Sequence, residues 1–155
     1  MNVIRAISVV QSRLILLAIM LGALTGCQAR YEDKSEMAPY SSLVGKQLEL
    51  SAPVIAYGIN ESLNPDGPVD YIELRPEIIA GPEIVFSESL SIGTLIRIDR
   101  VLAAEYFSRT LLRYEVSVLD GSFDSDRVVI PASENYESDT LGLDSAVYGE
   151  VEANL

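Results

Sequence analysis

Residues 14–24 form an uninterrupted apolar run, and the only cysteine of the chain, Cys27, lies shortly after it. Arg5 and Arg13 precede the run. As a helix, a run of this length rises about 16 Å, roughly half the thickness of a bilayer's hydrocarbon core. It is therefore too short to span a membrane securely, and a buried core helix would not require both arginines. A cationic flank, a short apolar run and small residues before Cys27 are typical of a secretory signal peptide.

The residues Leu24-Thr25-Gly26-Cys27 carry a more specific pattern. Leu-(Ser/Thr/Ala)-(Gly/Ala)-Cys resembles the lipobox of bacterial lipoproteins. The resemblance implies cleavage between Gly26 and Cys27, a diacylglycerol on the Cys27 sulfur and an acyl chain on its amine. It implies a protein of the bacterial cell envelope, held on the lipid bilayer through those chains. Because Gln28 replaces the aspartate that often retains lipoproteins at the inner membrane, it implies the periplasmic leaflet of the outer membrane in a Gram-negative cell.

After the predicted signal peptide of residues 1–26, the chain divides into three parts. Residues 27–39 are polar and predict a flexible tether that reaches roughly 40 Å when extended. Residues 40–131 predict one small β domain. Residues 132–155 hold six acidic and no basic residues and predict an acidic tail, either disordered or laying one short element on the domain.

Alternating apolar and polar residues predict the fold class. Leu48 and Leu50 fall on one face of residues 46–57, while Gln47 and Glu49 fall on the other, as in a half-buried strand. Similar short segments predict further strands over 69–75, 84–86, 93–102, 110–119 and 127–130. We therefore expect a mainly β fold after the N-terminal signal helix: a small barrel or sandwich, SH3-like or OB-like.

The segments 93–102 and 110–119 predict a hairpin. A register with Ile98 opposite Tyr114 and Arg97 opposite Glu115 joins apolar residues on one face and opposite charges on the other. The competing prediction is a helix over 100–114, which contains several strong helix formers.

Two segments 48 residues apart share a pattern. Gly45-x-x-Leu48-x-Leu50 resembles Gly93-x-x-Ile96-x-Ile98. Apolar alternation often produces such matches, so an internal duplication and chance both remain open.

Composition excludes several classes of function. The chain has no histidine, which removes the commonest general base, Ser-His and Cys-His arrangements and the usual zinc ligand. Acylation of Cys27 would leave no thiol. We therefore expect no enzyme and no cofactor. After cleavage, the chain would have nine Lys and Arg and 23 Asp and Glu, and therefore a net charge of −14. This charge argues against binding of nucleic acid and against broad electrostatic docking on anionic lipid.

Two clusters are candidate sites. The first cluster consists of Arg97, Arg100, Arg109 and Arg113. It could be a small patch that binds an anion or a partner, and the competing interpretation is an ion-pair ladder within the hairpin. The second places oxygen side chains at alternate positions of residues 120–126, as calcium loops do. Ser125 and Pro131 stand where an EF-hand loop needs Gly and Glu, so we expect a solvated turn and no metal site.

These observations predict a non-enzymatic envelope lipoprotein. Its β domain would bind or support another envelope component, either an envelope protein or a cell-wall component. The alternative is an SH3-like module that binds peptidoglycan. A hydrolase that uses carboxylates alone is less favoured, because 23 acidic residues supply carboxylate pairs by number alone.

Overall fold

The computed structural model describes residues 30–106, 109–120, 122–123, 126–132 and 142–151, with only the backbone of Tyr106 and Arg109. Over these residues the chain forms nine strands and one 3-10 helix, Tyr40–Ser42. The strands are β1 (Glu32–Asp33), β2 (Gln47–Leu50), β3 (Val54–Ile59), β4 (Tyr71–Arg75), β5 (Ile84–Leu90), β6 (Leu95–Tyr106), β7 (Arg109–Val118), β8 (Val128–Ala132) and β9 (Tyr148–Glu150).

The described strands form one sheet in the order β5-β3-β4-β8-β7-β6-β2-β9, with β1 added on β6. Only the pairing of β4 with β8 is parallel. β2 and β3 are joined by residues 51–53, yet they lie near opposite ends of this order, so the sheet has to curl on itself. The prediction of a mainly β domain is confirmed, whereas the predicted signal helix lies outside the described residues.

The core fills the inside of the curled sheet. The predicted inward positions on β2, β4, β6 and β7 are confirmed for nine side chains that are at most 4% exposed: Leu48, Leu50, Ile72, Leu74, Ile96, Ile98, Tyr114, Val116 and Val118. Val128 and Ile130 of β8 belong to the same core.

The hairpin of β6 and β7 is present, and the alternative helix over 100–114 is wrong. The predicted register is also wrong. Ile98 lies opposite Val116 and Arg97 opposite Ser117, and the register shifts again between Ile98 and Arg100. This irregularity is a β-bulge, in which one extra residue reverses the facing of the next part of the strand. Ile98 and Val101 both reach the core because of it.

The two similar glycine segments pair with each other. Leu48 lies opposite Ile96. The Gly45 N–H donates to the Ile98 carbonyl at 2.7 Å, and the Gly93 N–H donates to the Leu50 carbonyl at 2.8 Å. Both glycines have positive φ, +85° and +87°, which side chains rarely adopt. The shared pattern therefore corresponds to a local twofold arrangement of the backbone.

Part of the segment predicted as a tether, residues 32–35, is held on the domain. β1 pairs with Leu102 and Ala103 of β6. The Lys34 N–H donates to the Val101 carbonyl at 2.8 Å, and the Val101 N–H donates to the Ser35 hydroxyl at 3.0 Å. The domain boundary predicted at residue 40 is thus wrong, because these bonds hold residues 32–35 on β6.

The predicted acidic tail also contributes to the domain. β8 extends through Ala132, and β9 pairs with β2. Leu143, Val147 and Tyr148 are buried in the core. Of the two alternatives, the ordered one therefore holds for residues 142–150, because three apolar side chains supply the burial. Residues 133–141 and 152–155 lie outside the described residues.

We expect Tyr114 to make the fold sensitive to alkaline pH. Burial raises the pKa of Tyr114 to about 12 from 10. The unfolded chain loses this proton first, so the stability that the neutral phenol contributes is complete below pH 10 and falls as the pH rises towards 12. The loss should reach about 2–3 kcal/mol. Urea unfolding of the wild type and Tyr114→Phe across this range is the measurement; equal slopes with pH would contradict the expectation.

We expect Glu88 to protect an open sheet edge. β5 pairs with β3 on one side, and no described strand pairs with its other edge. Glu88 shares the alternation of Leu90 and Phe86 but is exposed, and an inward-facing charge on an edge strand opposes edge-to-edge association. Glu88→Val should give concentration-dependent self-association by sedimentation velocity. Ser87→Val is the matched control, and equal association of both variants would refute the role of the charge.

Candidate functional site

The outer surface of β4, β8, β7 and β6 carries a cluster of guanidinium groups around two carboxylates. We call it the arginine face and define it by Arg75, Arg100, Arg113 and Arg127 with Glu73 and Glu115. Val129 of β8 lies between the two glutamates, opposite Glu73 on one side and Glu115 on the other. Arg100 lies opposite Glu115 on the next strand. Period-two alternation directs these side chains away from the core.

Glu115 is paired with two arginines. The Arg127 Nε donates to Glu115 Oε1 at 2.9 Å. Arg100 Nη2 lies 2.7 Å from Oε2. The second contact is an ion pair by distance only, because Oε2 accepts no hydrogen bond among the described residues. The Glu115 side chain is 10% exposed, whereas those of Arg100 and Arg127 are 55% and 45% exposed. The cations therefore retain contact with solvent.

Glu73 forms the second ion-paired group. The Arg75 Nε donates to Glu73 Oε1 in a short hydrogen bond. Arg113 Nη2 lies 3.9 Å from the other carboxylate oxygen. The Glu73 side chain is 8% exposed, compared with 37% for Arg75. Each nearly buried carboxylate thus has guanidinium groups beside it, as burial of a charge requires.

Arg113 is the most enclosed cation of the arginine face, at 16% side-chain exposure. Its guanidinium carbon lies 4.5 Å from the centre of the Tyr31 ring and 5.0 Å from that of Tyr71, within range of cation–π attraction. Its Nε makes no hydrogen bond in the described part of the chain. Burial raises the pKa of Tyr71, and the Arg113 charge opposes this shift. The Tyr71 ring therefore presents a neutral aromatic face to the cation at neutral pH.

The structure brings together only part of the predicted patch. Arg100 and Arg113 lie on the arginine face. Arg97 instead donates from its Nε to Asp99 of its own strand at 2.8 Å, and from its Nη2 to the Ser117 hydroxyl of β7 at 3.5 Å. The backbone of Arg109 begins β7 opposite Tyr106, and its side chain lies outside the described residues.

Sequence reasoning missed three members of the arginine face. Glu73 and Arg75 alternate with the buried residues of β4, and Arg127 precedes β8. That alternation was a usable signal for the outward direction. It could not show that β4 lies beside β8, since this parallel pair joins segments far apart in the chain.

The other predicted site residues give fewer contacts. Gly26 and Cys27 lie outside the described residues. In the 120–126 segment, the Ser122 N–H donates to the Asp120 carboxylate at 2.8 Å, and this bond lowers the pKa of Asp120. Within the described ranges, no group of three or more Cys, Asp or Glu could hold a metal ion.

The described residues were compared with the requirements for a membrane span, and the chain was compared with known proteins. No helix in the described part of the chain is long and apolar enough to cross a membrane. No family model, curated protein or solved structure matches the chain. The arginine face and the N-terminal sequence are therefore the features from which a function can be inferred.

We expect Arg100 and Arg127 to be individually dispensable and jointly important for stability. Because both are well exposed, Arg100→Gln or Arg127→Gln alone should cost about 0–1 kcal/mol. The double variant leaves the nearly buried Glu115 without a close cation and should cost about 3 kcal/mol. Urea denaturation of the single and double variants measures this coupling. Arg97→Gln, which removes a more exposed pair, is the control, and additive losses at Arg100 and Arg127 would contradict the shared role.

Proposed function

We propose that the protein is a non-enzymatic lipoprotein of the bacterial cell envelope, anchored in the bilayer through acylated Cys27. Its β domain binds an anionic group of another envelope component through the arginine face. In a Gram-negative cell the anchor lies in the periplasmic leaflet of the outer membrane. The Leu24-Thr25-Gly26-Cys27 pattern supports the anchor, and the arrangement of cations on the domain supports the binding role.

The observation that carries the binding proposal is the concentration of positive charge. Four of the nine cations after residue 26 lie on the arginine face, although the whole chain has a net charge of −12. Among the described residues, their ion pairs are with two carboxylates, Glu73 and Glu115. A guanidinium group has five N–H donors, and the close contacts described above use only some of them. The remaining donors of the exposed arginines suit planar anions such as carboxylate and phosphate.

The same contacts support binding rather than catalysis. Glu73 and Glu115 each contact guanidinium groups, and Val129 lies between them in the register. General acid–base catalysis needs a carboxyl group placed to exchange a proton with a substrate. Carboxylates held by arginines instead fix the guanidinium groups in position, which favours recognition of an anion.

The second candidate is binding to peptidoglycan, whose stem peptides present carboxylates. The exposed guanidinium groups of Arg75 and Arg100 favour it, since arginine binds carboxylates in bidentate geometry. Cosedimentation with purified sacculi tests it. Binding that is lost in Arg75→Gln with Arg100→Gln, but kept in Lys46→Gln, would assign the cell wall as the partner. Equal sedimentation with and without sacculi would reject this candidate.

We expect Cys27→Ser to abolish lipidation, because a serine hydroxyl is a far poorer nucleophile than the sulfur. The uncleaved precursor would then retain its short apolar run, which is insufficient for a secure membrane span. The measurements are incorporation of labelled fatty acid and the mass of the N-terminal peptide. The domain should melt as the wild type does, since the described core contains no residue before Leu48. Wild-type protein without label, or a serine variant processed normally, would overturn the anchor.

A further inference from the structure

We propose that the arginine face lies against the bilayer that holds the anchor and binds the phosphate groups of lipid headgroups. This inference rests on the proposed function, because it requires acylation of Cys27. It identifies the anionic group as lipid phosphate and gives the domain a defined orientation on the membrane.

The chain leaves the domain, towards its N-terminus, at the arginine face. Asp33 lies beside Leu102 of β6, and the preceding Tyr31 covers Arg113 of β7. The chain therefore runs from the edge of β6 onto the arginine face. Cys27 precedes Tyr31 by four residues, which span at most about 14 Å when fully extended. The lipid anchor is thus attached through a short segment that starts on the arginine face.

This connection is short compared with the dimensions of the domain and the membrane. A compact domain of about 100 residues has a radius of gyration of about 13 Å, so its diameter exceeds the length of the connection. The side of the domain opposite the arginine face could contact the bilayer only if Tyr31 and β1 left the sheet. The polar layer on each side of a bilayer is about 5–8 Å thick. The arginine face is therefore held within reach of headgroup phosphates.

The distribution of charge favours the same orientation. The net charge predicts that the chain as a whole does not dock broadly on anionic lipid. The arginine face is a local exception. The segment that leads from it to the anchor is balanced in charge, because Arg30 and Lys34 are matched by Glu32 and Asp33. Lys46, which pairs with Glu150, lies on β2's side of the sheet instead. Turning the arginine face towards the membrane brings guanidinium groups to phosphates and directs much of the acidic surface away.

The experiment measures the orientation of the acylated full-length protein in vesicles of phosphatidylethanolamine and phosphatidylglycerol. Since acylation uses the only native cysteine, an introduced cysteine can carry a single nitroxide label. A label at Ser117→Cys reports on the edge of the arginine face. Ser117 lies on β7, between Arg97 of β6 and the start of β8. Ser89→Cys, on the exposed edge strand β5, is the matched control. A lipid with a nickel-chelating headgroup broadens the signal of a nearby label.

We expect the label at Ser117 to be broadened several-fold more strongly than the label at Ser89. Arg75→Gln with Arg100→Gln should remove most of this difference, while Arg127 and Arg113 still accompany the two carboxylates. The corresponding lysine variant should retain the difference, since the charges remain. Lys46→Gln, which removes a cation elsewhere, should also retain it. Melting curves of the labelled variants establish that each domain is folded.

Each result separates this inference from the proposed function. Protein that carries no acyl chain and does not float with vesicles would overturn the anchor. Protein that floats, but shows equal broadening at both positions, would overturn the orientation alone. Loss of the difference in inorganic phosphate, but not in sodium chloride of equal ionic strength, would indicate a site for free anions and overturn the assignment to lipid. Loss on addition of soluble peptidoglycan fragments would assign the face to the cell wall and likewise overturn it.

Discussion

The antiparallel pairing of β2 with β6 is the constraint on which the rest of the sheet depends. β2 continues through residues 51–53 into β3, whose partners are β4 and β5. Pairing β2 with β6 therefore forces the strands β4, β8 and β7 to bridge the remaining distance around the core. Gly45 and Gly93 make this pairing possible, because their positive φ allows each segment to turn and donate to the other.

Charged groups are also buried on the outside of the sheet. Glu73, Glu115 and Val129 are buried on the arginine face, although they alternate with core residues. On the same face, the Tyr31 ring covers Arg113. A buried carboxylate is costly without a cation beside it, and the four arginines of the arginine face provide this compensation. The arginine face is thus a product of both topology and coverage.

The local alternation of apolar and polar residues predicted the strands and their inward faces. It could not predict contacts between strands that are far apart in the sequence. Leu48, Leu50, Ile96 and Tyr114 follow directly from period two. The hairpin was predicted with the wrong register because the charge of Arg97 can be met either across the sheet or by Asp99 two residues away. The alternation of apolar and polar residues also does not predict a β-bulge. Because of the bulge, the residue opposite Glu115 is Arg100. Of the candidate patch, Arg100 and Arg113 were predicted, while Arg75 and Arg127 required knowledge of the parallel pair.

The position of β1 would link the proposed anchor at Cys27 to the domain in a way that a free tether would not. A flexible connection of a dozen residues would leave the domain free to rotate and would decouple its surface from the bilayer. Pairing of Glu32 and Asp33 with β6, together with Tyr31 over Arg113, shortens the connection to Cys27 and selects one side of the sheet. With the proposed acylation of Cys27, restricted rotation would raise the effective concentration of that side at the membrane, so that individually weak contacts to phosphate could act together. An acidic domain could then lie close to an anionic surface, because only its cationic face would approach it.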